Sequence, residues 1–180
     1  MKLPEAPRIP EEADPLIGLM DELLSRLGYD LDPEAGATAS RFVRLLEDFR
    51  PTTAVPELSR CVLQSTDPVV VRDLPFHSLC VHHLLPFFGT ADLVHLPVGP
   101  VAGLGSFPRV LRHFATQPQL QERLGGAVAE HLQSTLGGTV AIRLRARHLC
   151  LEMRGERVSA TLETRVVRGP DADAARTLLG

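Results

Sequence analysis

Cys80-Val81-His82-His83, followed after a short interval by Gly89-Thr90-Ala91-Asp92-Leu93-Val94-His95-Leu96, is the stretch from which the rest of the chain is read. The second part alternates apolar and polar residues, the period of a half-buried strand. Val69-Val70-Val71 upstream is a β-branched run of the same kind, so the Cys/His cluster falls on a strand-to-strand connection. Working outward, residues Phe107 to Thr116 and Pro118 to Leu136 carry helical patterns, the second closing at Gly137-Gly138. Thr139 to Arg147 and Val158 to Val167 alternate again as two strands, with Gly155 at the turn between them. The order strand, strand, helix, helix, strand, strand predicts an α+β fold rather than a doubly wound sheet.

A helical extension precedes this core. Asp14-Pro15 has the form of an N-cap with proline at the first helical position, and Leu16, Leu19, Met20, Leu23, Leu24 and Leu27 make one apolar face before Gly28. A second helix is expected from about Thr38 to Asp48, with Phe42, Leu45, Leu46 and Phe49 on its buried side and Pro51 and Pro56 beyond its end. We therefore expect an N-terminal arm and helices over residues 1–56 and a catalytic domain over residues 57–180.

The cluster has a distant counterpart in His148-Leu149-Cys150, at the end of another strand-like run. Zinc in catalytic sites takes three protein ligands and keeps a fourth position open, and Cys2His is one such set. Cys80, His83 and Cys150 would supply it, leaving His82 and His148 for proton transfer. A lone Cys-x-x-His is more often a buried thiol beside a surface histidine. Two such clusters in one chain reverse that preference. The odd count of three cysteines does not build a disulfide framework, and two of them fit thiolate ligands in a reducing compartment. Cys61 is left as a small buried hydrophobe.

The chain of 180 residues is long enough for one sizeable core. Its net charge of −3 gives no general electrostatic footprint for nucleic acid or an anionic membrane, so any anionic ligand must be held by local arginines. The proline-punctuated start, Met1 to Pro10, lacks an apolar signal region, and no run approaches the length of a membrane span. A soluble, cytoplasmic protein is expected, with no nucleic-acid or membrane partner.

Ser78-Leu79-Cys80-Val81-His82-His83-Leu84-Leu85-Pro86-Phe87-Phe88-Gly89, then Gln119-Leu120-Gln121-Glu122-Arg123-Leu124, then His148-Leu149-Cys150-Leu151-Glu152-Met153-Arg154-Gly155 form an ordered series. In these three segments the chain resembles the GTP cyclohydrolase I family, over roughly Thr38 to Arg168. Thr38-Ala39-Ser40-Arg41 is similar to that family's Thr-Pro-x-Arg helix start. The resemblance implies a tunnelling fold: an antiparallel four-stranded sheet with two helices between the strand pairs, assembled into homo-oligomeric rings, typically a decamer with sites at subunit interfaces. It implies Zn2+ held by Cys80, His83 and Cys150, with His82 and His148 as catalytic histidines. Gln121 and Glu122 match the guanine-recognition pair, and Arg109 and Arg154 match phosphate-contacting arginines. The implied reaction opens the guanine imidazole ring of GTP, releasing formate and 7,8-dihydroneopterin triphosphate.

Two departures stand out. The family's Gly-Leu-Ser-Lys-x-x-Arg segment is here Gly103-Leu104-Gly105-Ser106-Phe107-Pro108-Arg109, without the lysine, and Val81 replaces the usual glutamate before the paired histidines. Losing one charge-assisted contact to a triphosphate costs about 1.5 to 3 kcal/mol. Three alternatives follow: a GTP-hydrolysing enzyme, a paralogue acting on another or less phosphorylated guanine derivative, and a catalytically weak regulatory or binding subunit. The five intact residues Cys80, His82, His83, His148 and Cys150 weigh against the last.

Overall fold

The computed structural model describes residues 14–180, without the side chains of residue 30 and residues 60–64. The arm over residues 1–13 and the side chain of Cys61 lie outside the described residues. The chain forms two compact units, one ending at Arg50 and the other starting at Pro51.

The first unit holds α1 (Pro15–Arg26) and α2 (Thr38–Asp48), joined by short 3-10 turns. Helix α1 starts where the sequence signals it: the Asp14 carboxylate accepts from the Leu16 N–H at 2.9 Å, satisfying an orphan donor, and Pro15 needs none. Within α2 the expected face is largely corrected. Ala39, Ser40 and Val43 are buried, whereas Phe42 and Leu45 are exposed; of the expected set only Phe49 is fully buried. The helix carries small and large apolar residues on different sides, and the small ones are the buried side.

The second unit is built on a sheet of order β5-β2-β3-β6-β7, comprising β2 (Val69–Cys80), β3 (Pro86–Leu96), β5 (Pro118–Gln119), β6 (Thr139–His148) and β7 (Thr161–Arg168). Strands β2, β3, β6 and β7 are the expected antiparallel four, and β5 adds two residues in parallel to Leu79 and Cys80. A second small sheet pairs β1 (Arg60–Ser65) with β4 (Gly99–Ala102). Helices α3 (Ser106–Ala115) and α4 (Gln121–Leu136) lie between the two strand pairs in sequence, as an α+β fold requires. The helix expected from Pro118 starts only at Gln121, because Pro118-Gln119 instead pairs with the end of β2, the Gln119 carbonyl accepting from the Val81 N–H at 3.1 Å. The strand expected from Val158 starts at Thr161, after Arg157 adopts a positive φ of 53°.

One face of the sheet meets α3 and α4. Phe87, Ala91 and Leu93 of β3 and Val140, Ile142 and Leu144 of β6 pack with Phe107, Leu124, Val128 and Leu132 in one cluster. The opposite face is covered in part by α6 (Ala172–Leu179), whose Ala175 and Leu179 meet Val94 and Ala141. Gly89 holds a close approach within the ladder: a Cβ there would stand 1.8 Å from the Arg145 carbonyl oxygen. This lets β3 and β6 stay paired without interruption from Phe87–His148 to Leu96–Thr139. The long ladder carries the two Cys/His segments to the same end of the sheet. Among the described residues no helix is long and apolar enough to cross a membrane.

Candidate active site

The connection between β2 and β3 is a tight knuckle. The Cys80 carbonyl accepts from the N–H groups of His83 at 3.2 Å and Leu84 at 2.7 Å, while the Cys80 N–H donates to the Leu85 carbonyl at 2.8 Å. Leu84 turns the chain with φ at 54°, a conformation that costs a non-glycine residue roughly 1 kcal/mol. The chain thus folds back over Cys80 and turns His83 toward it, with Cys80 Sγ 3.6 Å from His83 Nδ1.

Cys150 arrives from the other side. Strand β6 ends at His148, opposite Phe87, and the chain enters the one-turn helix α5 (Leu149–Glu152), which carries Cys150. The ligand atoms of Cys80, His83 and Cys150 all lie within 4.8 Å of one another. Two thiols and one imidazole at this spacing fit a zinc ion, with a fourth position left for water or substrate. Burial first, and then the adjacent Cys80 thiol, push the Cys150 thiol above its ordinary pKa, and the charge of Arg154 opposes them. Two neighbouring sulfurs resist ionising together unless a cation joins them.

His148 is held on two sides. Its ring lies parallel to Phe87, with centroids 4.7 Å apart and planes 2° apart, and its Nε2 is 2.8 Å from Gln121 Oε1. Burial lowers its pKa, and the carboxylate of Glu122 partly opposes this. Glu122 is exposed in the first turn of α4, whereas the neighbouring Gln121 is only 1% exposed. The Gln121 amide nitrogen donates to the carbonyls of Leu144 at 3.1 Å and Leu162 at 3.0 Å, and reaches Thr164 Oγ1 at 3.3 Å. His82 is exposed beside His83, its ring edge-on at 6.1 Å.

The two arginines differ. Arg154 lies close enough for its charge to act on Cys150. Arg109, in the first turn of α3, donates to Ser59 Oγ and Ser106 Oγ, each at 3.2 Å, so its bonds run to Ser59 and to the start of its own helix and not to the cysteine cluster. Ser106, where the resembled segment has its lysine, is fully buried and accepts from the Ser59 N–H at 3.2 Å. Phe87 and Thr164 are parts of the site that had no assigned role in the sequence. Phe87 stood within the Cys/His segment, while Thr164 gave no local signal.

A model of the GTP cyclohydrolase I family matches residues 18–177 of this sequence. The chain belongs to the GTP cyclohydrolase I family. It is 41% identical to GTP cyclohydrolase 1 of Lactiplantibacillus plantarum over 142 residues, covering 74% of this chain and 75% of that one. It is 35% identical over 168 residues to a GTP cyclohydrolase 1 of Pseudomonas putida, covering 87% of this chain and 86% of the relative. A third GTP cyclohydrolase 1, from Sulfurihydrogenibium, is 40% identical over 125 residues, covering 67% of this chain and 65% of that protein. As a GTP cyclohydrolase I family member the protein falls in a hydrolase family with the α+β tunnelling fold, and its described site offers a possible metal centre at Cys80, His83 and Cys150.

Proposed function

We propose that this protein opens the imidazole ring of GTP by zinc-dependent hydrolysis at C8, releasing formate and forming 7,8-dihydroneopterin triphosphate. The observation that carries the proposal is the convergence of Cys80, His83 and Cys150 within 4.8 Å in a chain of this family. Zinc bound there supplies Lewis acidity and lowers the pKa of water toward 7.

The remaining chemistry falls to the side chains. Removing C8 as formate breaks two C–N bonds, and each departing nitrogen needs a proton. An imidazole nitrogen can both give and take a proton, so His82 and His148 serve as the proton donors and acceptors, His148 from a fixed ring and His82 from an exposed one. The Glu122 carboxylate accepts from guanine N1–H and from the exocyclic amine, a donor pair that adenine lacks. Arg109 and Arg154 take the phosphates, for which guanidinium forks are suited. A homo-oligomer is expected to complete the site: β7 ends the sheet with Leu162 41% exposed, and an open strand edge is a liability unless paired. A reducing, cytoplasmic setting keeps Cys80 and Cys150 available as ligands.

A second reading has one observation in its favour. Ser106 is buried and uncharged where the resembled segment carries a phosphate-binding lysine, which suits a guanine derivative with fewer phosphates. Formate release and pterin fluorescence from zinc-loaded protein offered GTP, GDP, GMP and guanosine side by side distinguish the two. A clear preference for GTP is expected. Turnover confined to less phosphorylated substrates would establish the second reading, and stoichiometric zinc with no turnover of any of them would refute both.

A further inference from the structure

The bonds of Gln121 carry an assignment of their own. Backbone carbonyls only accept hydrogen bonds, so the Gln121 nitrogen must face Leu144 and Leu162, and this leaves Oε1 toward His148. Oε1 has no hydrogen to give. The 2.8 Å contact therefore closes only if His148 Nε2 carries the proton and donates it. A neutral imidazole with Nε2–H has its lone pair on Nδ1. The parallel Phe87 ring blocks one face of His148 and fixes the ring plane in which both nitrogens lie.

We propose that Gln121 is a positioning residue: it locks His148 as the Nε2–H tautomer and so makes Nδ1 the atom that accepts or delivers the reaction proton. The proposal rests on the proton-transfer role given to His148 above. It removes Gln121 from direct contact with the base, because a side chain 1% exposed with its amide committed to two carbonyls and a hydroxyl has no donor left for guanine. Guanine recognition at this end of α4 then rests on Glu122. The device spans three elements, since Gln121 opens α4, Leu144 lies on β6, and Leu162 and Thr164 lie on β7. A shift of α4 against the β6–β7 pair would release the ring.

Magic-angle-spinning 15N spectra of histidine-labelled protein test this, with His148→Asn identifying the His148 signals by their loss. The expected spectrum of neutral His148 in wild type has protonated Nε2 and bare Nδ1. Gln121→Met, close in size and unable to accept this bond, is expected to give a mixture of tautomers, a kcat reduced roughly tenfold or more, a KM changed much less and an unchanged zinc content. A wild-type Nδ1–H tautomer would overturn the proposal without any variant. So would Gln121→Met with a raised KM and an unaltered His148 spectrum, which would return Gln121 to substrate recognition. The spectra do not depend on turnover, so failure of the proton-transfer role itself is seen separately, as full activity in His148→Ala.

Discussion

Asp92, midway along β3, and Cys80, at the end of β2, are both buried polar residues on neighbouring strands, yet their surroundings differ in kind. Asp92 accepts from the Asp73 N–H at 2.9 Å, from Arg143 Nε and Nη2 at 3.1 and 2.6 Å, and from Arg145 at 3.2 Å, with Arg72 3.8 Å away. Arg72 and Arg143 in turn donate to the carbonyls of Leu178, Leu179 and Gly180 at the end of α6. Every guanidinium in that cluster donates to a carboxylate or a backbone oxygen of the chain itself. At Cys80, two thiols and an imidazole bring electron pairs together, and among the described residues no guanidinium hydrogen-bonds to any of them. A self-satisfied polar cluster holds structure together; a cluster of converging electron pairs has the form of a possible metal centre, the reading proposed above.

The contrast can be broken at either end. Cys150→Ala is expected to have the largest effect, abolishing stoichiometric zinc and lowering turnover by at least roughly 100-fold, while the melting transition of the metal-free protein stays near wild type. Metal analysis and formate release on one sample check it, and full activity without metal would remove Cys150 as a ligand. Asp92→Ala should do the reverse. It leaves Arg143, which is 15% exposed, without its carboxylate partner, and costs about 3 kcal/mol of stability with Cys80, His83 and Cys150 intact. Urea unfolding measures the loss, and a change below about 1 kcal/mol would mean that the cluster is not what docks α6.

The same carboxylate gives a pH signature. Burial alone would raise the Asp92 pKa, but the Asp73 N–H, Arg143 and Arg145 hold it below the ordinary carboxylate value. A depressed folded-state pKa contributes stability that is fully present above the unfolded value near 3.9 and is lost as pH falls through the folded one. Wild type should therefore lose stability more steeply than Asp92→Asn below about pH 4. Parallel curves would contradict the assignment.

His148→Ala is a finer probe of the site end: zinc should stay and turnover fall roughly 100-fold. Unchanged turnover would exclude it from proton transfer. The smallest effect is expected at Leu84→Gly, where relief of the positive φ and the greater freedom of unfolded glycine nearly cancel, leaving stability within about 1 kcal/mol. A larger loss in thermal unfolding would show that the Leu84 side chain, not the turn, holds the knuckle.

What the sequence made legible was what local chemistry decides. The Asp14-Pro15 cap, the strand character of β3 and the spacing from Cys80 to His83 each signal themselves within a few positions and reappear in the structure, although β3 is not half-buried: Ala91 to His95 are all buried, because helices cover both faces of the sheet there. The pairing of Pro118-Gln119 beside β2 was not legible, because a two-residue strand has no period and exists only through its partner. The face of α2 was misread for a related reason: apolar character shows that Phe42 and Leu45 can be buried, not that another element lies over them. Gln121 looks like a polar residue on a helix start, and its bonds reach residues 23 to 43 positions away. Nothing near it in sequence announces those partners.

X-ray absorption at the zinc edge of the loaded protein tests the central claim most directly. Two sulfurs at about 2.3 Å, one imidazole nitrogen and one lighter atom are expected, with one sulfur lost in any zinc retained by Cys150→Ala. A shell without sulfur, or one unchanged by that substitution, would contradict a centre built from Cys80, His83 and Cys150.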